Sequence, residues 1–82
     1  MPRHYVHFQN GVTTLDPYGV DAPDMAAIRA EAVLTIAAVL CEDNLETLWA
    51  GTPLRLWVTA DPEGKGQPVL ALQITASVAE PS

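Results

Sequence analysis

Residues 25 to 42, MAAIRAEAVLTIAAVLCE, constrain this chain more than any other stretch. Alanine recurs throughout and neither glycine nor proline interrupts, so the intrinsic backbone preference is helical. Met25, Ile28, Ala32, Ile36 and Val39 fall on one stripe at the spacing of a helix that packs against a sheet. The rest of the circumference is unusual, because Ala27, Ala30, Leu34, Ala37, Ala38 and Cys41 are apolar too. Only Glu31, Thr35 and Glu42 make a polar strip, with Arg29 on one flank. A helix apolar nearly all round needs two covers, and a small sheet supplies one.

The first cover is legible on either side of the helix. HYVHFQ (4–9) alternates, with Val6 and Phe8 on one face and Tyr5, His7 and Gln9 on the other, the two-residue period of a half-buried strand. Asn10-Gly11 suits a two-residue type I′ turn, which returns VTTLD (12–16) as a second strand. The tight register sets Gln9 opposite Val12, Phe8 opposite Thr13 and Val6 opposite Leu15, with Val6, Phe8, Thr13 and Leu15 facing inward. PLRLWVTA (53–60) alternates again, placing Leu54, Leu56, Val58 and Ala60 against Arg55, Trp57 and Thr59. DPEGKGQP (61–68) is crowded with turn residues, and VLALQITA (69–76) gives a fourth strand with Leu70, Leu72 and Ile74 inward.

Three carboxylates crowd ahead of the helix, and local backbone chemistry explains them. Asp16-Pro17-Tyr18-Gly19 has the residues of a β-turn. Asp21 or Asp24 can accept hydrogen bonds from the free amides of the first helical turn, and Pro23 sits where a missing N–H costs little. Asp43 followed by Glu46 has the form of a capping box, which makes ETLWAG (46–51) a second short helical piece ending at Gly51, with continuation of the long helix as the rival reading. The fold class expected is α+β: hairpin, long helix, hairpin, forming an antiparallel sheet of about four strands with one helix packed on one face. Strand order is not readable. Residues 1–78 are read as a single domain and 79–82 as a flexible tail.

A chain of 82 residues buries only about 60–65 % of the surface its unfolded form exposes, so its core is thin. Chains of this size gain support from disulfides, metals or oligomerisation. Cys41 is the single cysteine and excludes an internal disulfide, no metal cluster is visible, and self-association as a homodimer is the natural supplement. Four basic residues, Arg3, Arg29, Arg55 and Lys65, stand against ten carboxylates, and a net charge of -6 weighs against nucleic-acid binding. There is no leader pattern and no apolar run long enough to span a bilayer, so no membrane association is expected and the location expected is the cytoplasm.

Two segments carry a resemblance. MPRHYVHFQNG, then a glycine-containing acidic turn and DAPDMAAIRAEA, resemble a family of small uncharacterised bacterial domains common in alphaproteobacteria. Its members begin Met-Pro-Arg, continue with aromatic residues, a His and a short turn, and enter a helix through Pro-Asp-Leu and Ala-Arg-Ala-Glu-Ala. Met1, Pro2, Arg3, Tyr5, His7, Gly11, Gly19, Pro23, Asp24, Arg29, Glu31 and Ala32 match. His4 stands where an aromatic is usual, Asn10 replaces an acid and Met25 replaces Leu. The resemblance covers the whole chain, is specific in the first forty residues or so, and implies the fold but no activity or cofactor.

The candidate chemistry is sparse. His4 and His7 are three apart on a strand, hence on opposite faces, and cannot chelate one metal together. Pro2 with Arg29 and Arg55 could imitate an N-terminal-proline tautomerase, but Met1 blocks the amine. Cys41 has no basic neighbour in sequence and reads as a small buried hydrophobe rather than a nucleophile. The outer sheet face is the best candidate: Tyr5, His7, Arg55 and Trp57, with Gln73 and Thr75, project together if their strands are neighbours. They would serve as a ligand platform or an interface, or lie under Trp49 and the tail. The second candidate surface, for a homo-oligomer, is Ala27, Ala30, Leu34, Ala38 and Cys41. The function expected is therefore a non-enzymatic self-associating or protein-binding module, with an antitoxin-like regulatory module or the tautomerase as alternatives.

Overall fold

The computed structural model describes residues 3–42 and 45–79. Strand β1 (Arg3–Gln9) is followed by the short β2 (Thr13–Thr14) and β3 (Val20–Asp21), the long helix α1 (Met25–Glu42), the single turn α2 (Glu46–Trp49), and strands β4 (Leu54–Thr59) and β5 (Leu70–Ile74). All strand pairs are antiparallel, in the order β2-β1-β4-β5, with β3 beside β2 on the same flank of β1. The architecture is the expected α+β one, with one more strand than the alternation showed.

Strand β1 owes its central place to pairing on both flanks. Against β4 it runs from Tyr5 opposite Thr59 to Gln9 opposite Arg55. On its other flank β2 takes Phe8 and Gln9, β3 takes Arg3 and His4, and the 15–19 loop bridges the gap between them. The hairpin register differs from the tight one: Phe8 pairs with Thr14 and Gln9 with Thr13. A type I′ turn needs positive φ at both central residues, and here Gly11 has φ +77° while no non-glycine residue of the described chain does. The loop therefore takes three residues, the pairing slips by one, and Thr13 and Leu15 leave the inward face. Leu15 instead lies beside Gly64 of the 61–68 loop.

Helix α1 spans the expected residues. Asp24 is its N-cap, accepting the Ala27 amide at 2.9 Å. Asp21 is no cap; it lies in β3 and pairs with Arg3 at 3.3 Å. Asp43, the first residue of the expected capping box, lies outside the described residues, and no side chain caps α2 at Leu45. Gly51 follows α2 with φ +108°.

Ile28, Ala32, Ile36 and Val39 of α1 are buried on β1 and β4 against Val6, Leu54, Leu56 and Val58. Met25, expected in that stripe, is instead exposed, and so is Ala60. Leu70, Leu72 and Ile74 of β5 face the same layer and are only half-buried, because α1 lies over β1 and β4 and stops short of the sheet edge.

Candidate functional site

The outer sheet face assembles the residues that alternation placed there. His7 is paired with Trp57, Gln9 with Arg55 and Tyr5 with Thr59 across β1 and β4; Gln73 and Ala71 of β5 then stand beside Arg55 and Trp57. Thr75 lies just beyond β5 and is exposed.

His7 is fully buried. The 61–68 loop covers it: Gly64 sits over the His7 and Trp57 rings, whose centroids lie 5.6 Å apart; Trp49, expected over this face, is exposed, and tail residues 80–82 lie outside the described residues. Both ring nitrogens are engaged. The Asp16 amide donates to Nδ1 at 3.0 Å, so in the neutral ring the proton resides on Nε2, which lies 2.9 Å from the Thr59 hydroxyl oxygen. Thr59, also fully buried, passes its own proton to the Asp61 carbonyl at 2.6 Å. An imidazole with both nitrogens satisfied and no solvent contact is a structural tie between β1, β4 and two loops, not a general base.

Asp16 belongs to the same network. One carboxylate oxygen accepts the amides of Tyr18 and Gly19, each at 3.0 Å, and closes the expected turn. The other accepts the Val6 amide at 3.1 Å, supplying the partner that β1 lacks between β2 and β3. Burial disfavours its charge, but the amides of Gly19, Val6 and Tyr18, with a smaller contribution from His7, outweigh that and hold its pKa below the usual carboxylate value. Sequence reasoning found the turn and missed this second role, whose signal appears only when β1 and residue 16 are brought together. Gly19 has φ +74° and packs so closely that a Cβ would stand 2.9 Å from the His4 carbonyl oxygen.

What remains open is a shallow groove of about 550 Å³ lined by Gln9, Arg55, Trp57, Ala71 and Gln73, where small Ala71 leaves space beside the half-buried Trp57. Arg55 is exposed and has no carboxylate within ion-pair distance among the described residues. Arg29 lies on α1, across the sheet from Arg55, so the two cannot converge on one substrate. Pro2 lies outside the described residues. Among those residues no cluster of His, Cys, Asp or Glu could hold a metal ion.

On the opposite side of the molecule, Ala30, Leu34, Ala38 and Cys41 are exposed, and Ala27 is half-buried against the core. Cys41, expected to be buried, faces solvent, since the sheet covers only the Ile28–Val39 stripe. Val33 and Leu40, which the sequence reading did not single out, are exposed as well. Among the described residues no helix is long and apolar enough to cross a membrane.

These features define a small α+β domain with one long helix on one face of an antiparallel sheet and no assembled catalytic constellation among the described residues. Residues 3–75 match the family model described as a domain of unknown function (DUF6894), and the chain belongs to that family. No curated protein and no solved structure matches it.

Proposed function

We propose that this domain is a non-enzymatic module that associates with a second copy of itself. The observation that carries this reading is the outward surface of α1, where Val33 is 58 % and Leu34 64 % exposed among Ala30, Ala38, Leu40 and Cys41. Single exposed apolar residues are ordinary, but an apolar surface continuing along a helix marks an interaction site. The satisfied His7 and Thr59 support the non-enzymatic part, because the best-placed titratable group on the outer face is already committed to the fold.

Light scattering at micromolar concentration tests the proposal. A dimer gives twice the 8.8 kDa chain mass; a monomer throughout the micromolar range rejects self-association.

A further inference from the structure

We infer that two copies join edge to edge through β5, in antiparallel register about a two-fold axis at Leu72. This rests on the self-association reading and names the surface responsible for it. The backbone directions follow from one hydrogen bond. The Val6 amide points to Asp16, away from β4. Amides along a strand alternate between its two flanks, so Tyr5, His7 and Gln9 point to β4, and their partners Thr59, Trp57 and Arg55 point back. Leu54, Leu56 and Val58 therefore point to β5; the Val58 carbonyl takes the Val69 amide although Leu70 is its register partner, so Val69 and Leu70 form a bulge at the entry to the strand, before the regular ladder. Leu70, Leu72 and Ile74 of β5 return those bonds. Ala71 and Gln73 are left with their N–H and C=O groups directed at the open edge.

Among the described residues β4 is the strand that pairs with β5, and its other edge has no strand partner. Natural edge strands carry charges, prolines or bulges, or lie under a loop or helix, whereas β5 reads LALQI, has no charged residue, pairs on one side only, and has its bulge at its entry, away from Leu72. In a chain of net charge -6 it is one of the few stretches that a second copy can approach without charge repulsion. Its side chains are complementary to themselves in one register. With Leu72 opposite its own copy, Leu70 meets Ile74 of the second molecule, and Ala71 and Gln73 exchange the bonds that each lacks. The half-buried Leu70, Leu72 and Ile74 then form one apolar row on the helix side.

The flank of α1 above this row is apolar as well. Leu34, Thr35 and Ala38 line a depression beside Phe8, so that flank overhangs β1 and β2. At about 100° per residue, Val33 and Leu40 lie on the other flank, toward β5. The pairing also closes on itself, leaving no free β5 edge to propagate.

Cross-linking reads the register directly. In a Cys41→Ser background, Leu72→Cys places its sulfur against its own copy at a spacing that forms a disulfide. Leu70→Cys, opposite residue 74, does not. The expected result is a covalent dimer for the first and monomer on a non-reducing gel for the second. Gln73→Pro removes an outward amide without touching the β4 ladder, and light scattering should then report a monomer with an unchanged circular dichroism spectrum. Should that variant fail to fold, the cysteine pair alone decides. A dimer that survives Gln73→Pro, gives no Leu72→Cys cross-link and dissociates with Leu34→Glu overturns the edge and moves the interface to the helix, leaving self-association intact. A wild-type monomer overturns both.

Discussion

His7 is the side chain whose loss this fold should feel most. Replacing it with Ala strands the Asp16 amide, takes the Nε2 partner from the Thr59 hydroxyl, which keeps its bond to the Asp61 carbonyl, and opens a cavity beneath Gly64 and Trp57, which together cost about 2–4 kcal/mol, measurable as a fall in the urea midpoint. Asp16 gives a prediction in pH. Its folded-state pKa lies below the unfolded value, which is about 3.9. Its stabilising contribution is therefore complete above that value and is lost as pH falls through the lowered folded one. Wild type should exceed Asp16→Asn in stability by a constant margin above about pH 5, and the margin should close on further acidification. Urea titrations of both proteins between neutral and strongly acidic pH check this. Neither role was visible in the sequence. His7 read as one residue of an alternating strand, and Asp16 as the first position of a turn, because the partners of each lie in segments that only folding brings near.

Among the elements, α1 was the most legible. Its limits, its cap and its buried stripe follow from rules local to a few turns, and the structure departs from them chiefly at Met25. Its two sides should respond differently to mutation. Ile36→Ala removes a buried side chain from the contact with β1 and β4 and should lower stability by about 2–4 kcal/mol, whereas Leu34→Glu, on a solvated side, should change the stability of the isolated chain by less than about 0.5 kcal/mol. Thermal melts at low protein concentration separate the two. The hairpin was less legible. Asn10-Gly11 permits a tight turn, yet Asn10 does not take the positive φ that a type I′ turn requires, and one added loop residue shifted every partner of β1 on that flank. Strand β3 escaped notice because two residues are too few for a period, and it exists only through its pairing with Arg3 and His4.

As a whole the described molecule is one sheet with one helix over its β1 and β4 strands. A thin core with uncovered apolar surface on α1 and an open β5 edge is the state that a second copy would complete. Association predicts a melting temperature that rises with protein concentration, by mass action. Calorimetry over a hundredfold or so range of concentration reads that dependence, and a flat response would contradict self-association independently of light scattering.

Periodicity determined the helix, the three longer strands and the face each presents, because side-chain direction repeats every two residues in a strand and every 3.6 or so in a helix. It also foretold that α1 carries more apolar surface than one sheet can shelter. The tertiary structure alone decided the strand order, the slipped hairpin, the loop that buries His7 and the open edge of β5. Each of these is a contact between segments distant in sequence, and its free energy depends on which groups meet rather than on the preference of either segment.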